Sequence, residues 1–90
     1  MRLNKIILSD TAWEQLLSIS KNDLKLIKRV FEIVDNIKVS PFEGIGKPEP
    51  LKGDLKGFWS RRVTDEHRIV YKIEDDCVYI FQVKGHYLDK

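Results

Sequence analysis

This 90-residue chain has one cysteine, one methionine and three prolines, and each scarcity excludes something. With Cys77 alone there is no intramolecular disulfide and no cysteine-rich metal site. It sits beside Val78, Tyr79, Ile80 and Phe81, where an unpaired cysteine reads as a small, buried strand residue. There is no HExxH, no Cys/His cluster and no set of carboxylates at magnesium spacing, which speaks against metal-dependent hydrolysis. No glycine-rich phosphate loop opens a helix either, because Gly44-Ile45-Gly46 runs into Pro48. No stretch approaches the ~20 apolar residues of a membrane span. Met1-Arg2-Leu3-Asn4-Lys5 leads into only three consecutive apolar residues, too few for a signal peptide. The expectation is a cytoplasmic protein with no membrane partner and no cofactor.

Ninety residues suffice for one small domain, residues 1–90, with a single two-layer core. Hydrophobic content of 42% and charged content of 33% are ordinary for a globular chain. The net charge is only +2, but it is unevenly spread. From Lys47 to Lys72 seven Lys/Arg face four Asp/Glu, whereas Ile73 to Lys90 has two against four. A local basic surplus permits a nucleic-acid partner and would make association salt-dependent.

Hydrophobic periodicity orders the elements. Lys5-Ile6-Ile7-Leu8 reads as a strand, and Ser9 or Asp10 can cap a helix carrying Trp13, Leu16 and Leu17. A second helix places Leu24, Ile27, Val30, Phe31, Val34 and Ile37 on one wide stripe, and Pro41 stops it. Residues 42–57 hold four glycines and two prolines without periodicity, which predicts a long loop with a brief strand near Leu51. Three strands follow, at 58–64, 67–73 and 77–84, separated by Asp65-Glu66 and Asp75-Asp76 as tight turns. The order β-α-α-β-β-β predicts an α+β, two-layer fold, with two helices on one face of a mostly antiparallel sheet. Period-two alternation sets Ile69, Tyr71 and Ile73 against Arg68, Val70 and Lys72, and Cys77, Tyr79, Phe81 and Val83 against Val78, Ile80, Gln82, Lys84 and His86. The helices are expected over the Tyr71 and Phe81 face, leaving Arg68 and His86 together on the other.

The chemistry concentrates in Gly46-Lys47-Pro48-Glu49-Pro50-Leu51-Lys52 and Gly57-Phe58-Trp59-Ser60-Arg61-Arg62. Prolines on either side restrict the backbone around Glu49, which makes it a pre-positioned acid. Arg61 and Arg62 point to opposite faces, so only one can join Arg68. A three-residue or bulged connection would set Arg62 directly across from Arg68, a repulsive pair unless an anion lay between them. Two uses of these cations are open on the sequence: binding phosphate, or pairing with Glu49, Glu66 or the acidic turn. His67 should face away from Arg68 and Trp59 should pack, whereas Tyr87, beyond the last strand, suits a ligand contact. His86 is a candidate general acid, since imidazole titrates near neutrality. A fixed carboxylate, several cations and a histidine form an inventory for cleaving a phosphodiester beside a ribose 2′-hydroxyl: base, charge stabilisers and acid.

The segments Pro41-Phe42-Glu43-Gly44-Ile45-Gly46-Lys47-Pro48-Glu49-Pro50-Leu51-Lys52, Gly57-Phe58-Trp59-Ser60-Arg61-Arg62 and Glu66-His67-Arg68-Ile69-Val70-Tyr71, with the terminal His86-Tyr87, resemble the YoeB family of the RelE/ParE toxin superfamily over nearly the whole chain. The resemblance implies a toxin of a type II toxin-antitoxin pair that cleaves messenger RNA in the A site of the 70S ribosome, without metal, through 2′-hydroxyl attack. It implies Glu49 as general base, Arg68 as transition-state stabiliser and His86 as the acid that protonates the leaving 5′-oxygen. Lys52, Arg62 and Tyr87 match positions that support phosphate and base binding. Implied partners are a YefM-type antitoxin and a second copy in a homodimer. This chain runs past the His-Tyr pair, where the family usually ends, through Leu88-Asp89-Lys90. The competing expectation within the superfamily is a ParE-like, non-enzymatic inhibitor of DNA gyrase, in which Glu49 and His86 would be idle.

Overall fold

The computed structural model describes residues 3–83. Strand β1 (Lys5–Leu8) leads into helices α1 (Asp10–Asn22) and α2 (Leu24–Val39). A loop then delivers the short strand β2 (Glu49–Pro50) and a 3-10 turn (Gly53–Leu55). Strands β3 (Trp59–Arg62), β4 (Arg68–Glu74) and β5 (Cys77–Gln82) complete the order. The five strands lie as β1-β5-β4-β3-β2, antiparallel except for the parallel β1–β5 edge. The architecture is the expected α+β two-layer fold, with the brief extra strand at Glu49–Pro50. No helix among the described residues is long and apolar enough to cross a membrane.

Side-chain caps decide where the helices start. Ser9 accepts from the Ala12 amide at 3.0 Å and donates to the Phe81 carbonyl at 2.7 Å, so the residue that caps α1 also ties it to β5. Asp23 serves both helices: its amide donates to the Ile19 carbonyl and its carboxylate accepts from the Leu26 amide. The buried face of α2 is Leu26, Ile27, Val30, Ile33, Val34 and Ile37, packed with Ile69, Tyr71, Val78 and Ile80 of the sheet. Leu24 and Phe31, expected on that stripe, lie at its edge and stay exposed, and Trp13 and Leu17 do the same on α1.

The sheet register corrects two expectations. β3 and β4 are joined through residues 63–67, with the Val63 and Thr64 amides both donating to the His67 carbonyl, so Asp65-Glu66 is not a two-residue turn and Arg62 falls opposite Arg68. Asp75 and Asp76 both adopt left-handed φ, 52° and 62°, the signature of a two-residue hairpin turn. That turn pairs Glu74 with Cys77, which sets Ile73 opposite Val78 and Tyr71 opposite Ile80. The helices therefore cover Tyr71, Val78 and Ile80, not Phe81. The ring of Phe81 instead meets Phe58, centroids 5.4 Å apart, on the far face. At Val70 the partner becomes Gln82, a bulge that leaves Phe81 as the extra residue. The alternation shifts there, and Val83 returns to the core. The placement of His86 by alternation from Val78 was made without this bulge, and His86 itself lies outside the described residues, as do Lys84 and Tyr87.

Candidate active site

On the face away from the helices, neighbouring strands bring Glu49, Arg62 and Arg68 together. Glu49 on β2 is the direct partner of Ser60 on β3, and Ser60 that of Val70 on β4. Two residues along β3, Arg62 lies directly across from Arg68. Direct partners share a face, and diagonal neighbours lie about 7–8 Å apart, so Arg62 is diagonal to Glu49 on the same face and directly opposite Arg68. Lys52 is exposed just beyond, at the start of the 3-10 turn. His86 and Tyr87 lie outside the described residues.

The Arg62–Arg68 pair carries no described counter-charge. Among the described residues the ion pairs are Arg29–Glu32 and Lys72–Glu74. Pairing of either arginine with Glu49 or Glu66, one use open on the sequence, is therefore not what these residues do here. The Nε of Arg62 is buried and without a hydrogen-bond partner among them. Like charges directly opposed destabilise a ladder, and one of these carries a buried donor without a partner among the described residues. His67 behaves as expected of a turn residue: its Nδ1 lies 3.1 Å from Thr64 Oγ1. Trp59 packs against the core and meets the Phe42 ring at a tilt, centroids 4.9 Å apart.

Arg61 turns the opposite way and is wholly buried. Nε donates to Tyr71 Oη at 3.1 Å, one terminal nitrogen to Asn36 Oδ1 and the Ile45 carbonyl, and the other to the carbonyls of Ser40 and Glu43. All five donors are used, each on a neutral acceptor, where the C-terminus of α2 favours a cation. Tyr71 Oη in turn donates to the Pro41 carbonyl at 2.6 Å. Burial holds this phenol above its ordinary pKa, with the hydrogen bond and charge of Arg61 opposing. Sequence reasoning misses this role of Arg61, although its signal is present: alternation puts Arg61 on the Ile69 and Tyr71 face, and a cation on a covered face needs a built set of acceptors.

Together the two arginines hold the segment that presents Glu49. The Arg61 side chain gathers residues 40–45, and the Arg62 amide donates to the Gly46 carbonyl at 2.6 Å. Gly46 has φ +82°, and a Cβ there would lie 2.8 Å from the Arg62 carbonyl oxygen. Only glycine lets the loop approach β3 this closely. Pro48 and Pro50 then restrict Glu49 between them.

The fold defines the class. The YoeB/ParE toxin from Agrobacterium tumefaciens superposes with a TM-score of 0.90 at 36% identity, covering 93% of this chain and 100% of that one. A chain of the heterotetrameric YoeB-YefM toxin-antitoxin complex from Staphylococcus aureus does so at 0.86 and 42% identity, over 97% of this chain and 100% of that one. The molecule is thus a bacterial toxin of the toxin-antitoxin kind. The family described as YoeB-like toxin of bacterial type II toxin-antitoxin system matches residues 8–87. Toxin YoeB of Escherichia coli strain K12 is 45% identical over 83 residues, which are 92% of this chain and 99% of that protein. The chain belongs to the YoeB family.

Proposed function

We propose that this toxin is a ribosome-dependent endoribonuclease that cleaves messenger RNA in the A site by metal-independent acid-base chemistry. The observation that supports it best is the directly opposed Arg62–Arg68 pair, unneutralised by a described carboxylate, on the same face as Glu49. Glu49 removes the ribose 2′-proton, and the 2′-oxygen attacks the neighbouring phosphorus. Arg68 stabilises the charge that builds on the non-bridging oxygens, with Arg62 and Lys52 holding the phosphates. The bond to the 5′-oxygen breaks and His86 protonates that oxygen, leaving a 2′,3′-cyclic phosphate and a free 5′-hydroxyl. Tyr87 contacts the base.

The same reading assigns the protein to the cytoplasm, as one domain restrained by a YefM-type antitoxin and paired as a homodimer. A YoeB-YefM complex and a YoeB dimer, both from Staphylococcus aureus, support those partners by likeness.

Cleavage mapping on ribosome-bound message tests the activity. Single-turnover rates should fall roughly 10²- to 10⁴-fold in Glu49→Ala and His86→Ala, the usual size of acid-base catalysis. Growth arrest that persisted in both variants would overturn the nuclease and favour gyrase inhibition.

A further inference from the structure

We infer that Ser60 is a positioning residue for the base: its hydroxyl donates to the Glu49 carboxylate and aims the second carboxylate oxygen at the ribose. The inference rests on the reading of Glu49 as general base. Ser60 is 1% exposed, and its Oγ is buried with no hydrogen-bond partner among the described residues. A buried hydroxyl without a partner costs stability, and a strand interior accepts a small apolar residue or threonine in its place. Fold stability therefore gives no reason for a serine here.

The register supplies one. Ser60 is the direct cross-strand partner of Glu49, so their side chains share a face with Cβ atoms about 4.5–5.5 Å apart. Glu49 is exposed, and its carboxylate has no described partner. A Glu49 oxygen on Ser60 Oγ would give the buried hydroxyl the acceptor it lacks. The other buried side-chain donor without a partner among these residues is Arg62 Nε, two positions along the same strand and on the same face. Two unused donors flanking the approach to one carboxylate are what an unliganded site leaves behind. With Ser60 holding one oxygen, the other is free to take the 2′-proton.

The test separates this from a structural role. Ser60→Ala should keep or raise the thermal midpoint, because a partnerless hydroxyl is removed. Its single-turnover rate on ribosome-bound message should fall about tenfold, the scale of one hydrogen bond to a charged group, with binding unchanged. Ser60→Thr should recover most of the rate, and Ser60→Cys, close in size but a weak donor, should not. In a Glu49→Ala background, Ser60→Ala should add nothing, since its partner is gone. An unmodified rate in Ser60→Ala, a lowered midpoint, or an equal loss in the Glu49→Ala background would overturn the inference. Glu49→Ala alone tests the underlying reading: an unmodified rate there removes the base, and the role of Ser60 with it.

Discussion

At the scale of single residues, Arg61 and Arg62 show how one dipeptide serves two faces of a sheet. Arg62 keeps its charge on the face of Glu49 and Arg68, while Arg61 spends its charge on neutral acceptors around the end of α2. Arg61→Lys keeps the charge but offers three donors where five are used, stranding buried acceptors at about 1–3 kcal/mol each. The expected loss is roughly 2–6 kcal/mol, read from the urea midpoint at unchanged m-value. Tyr71→Phe strands the Pro41 carbonyl and leaves Arg61 Nε without its acceptor, and should cost about 1–3 kcal/mol. Because the Tyr71 pKa is raised on folding, the native state keeps this proton where the unfolded chain has lost it. The contribution is complete below the ordinary tyrosine value near 10 and fades as pH rises toward the folded value. Urea titrations of the two proteins should therefore converge above about pH 10. A constant gap would mean that Tyr71 does not titrate with unfolding.

Among the elements, the two-residue β2 carries the proposed base, Glu49. It is too short to hold itself, and its position comes from the Gly46 contact to β3 and from the Arg61-gathered loop before it. Gly46→Ala combines a left-handed φ with a Cβ pressed on backbone. The expected cost is about 1–3 kcal/mol, the range for strained backbone positions. Because the displaced loop carries Glu49, the cleavage rate should fall in the same variant while the caps of α1 and α2 are untouched. Hydrogen exchange would show the lost protection at the Arg62 amide, and a variant with native protection there and native rate would contradict this account.

For the whole molecule, the division of labour is between faces. Ile69, Tyr71, Val78 and Ile80 close the core under the helices, and the far face carries Glu49, Ser60, Arg62 and Arg68 in adjoining rows. If phosphates dock on that face, Arg62→Ala should lower affinity for RNA and reduce the slope of log affinity against log salt by about 1. An unchanged slope would remove Arg62 from the phosphate contacts. A base that must be ionised and an acid that must be protonated also predict a bell-shaped pH-rate profile, from which Glu49→Ala should erase the acid limb.

Local rules determined much of this protein. Helical spacing with its caps and stop, the Asp75-Asp76 turn and the proline-restricted Glu49 follow from neighbours in sequence, and so does the divergence of Arg61 and Arg62. The YoeB resemblance was legible for the same reason, since its motifs are contiguous. Even the Tyr71–Ile80 register is implicit in the two-residue turn, although period-two alternation alone points the helices at Phe81. Tertiary structure decided what depends on partners far along the chain. The bulge at Phe81 adds a residue that no alternation anticipates. The use of Arg61 depends on acceptors from residues 36–45 and on Tyr71, gathered only when α2 lies over the sheet. The meeting of Glu49 with Ser60 depends on a loop held by a glycine against β3, and neither residue's neighbours carry that information.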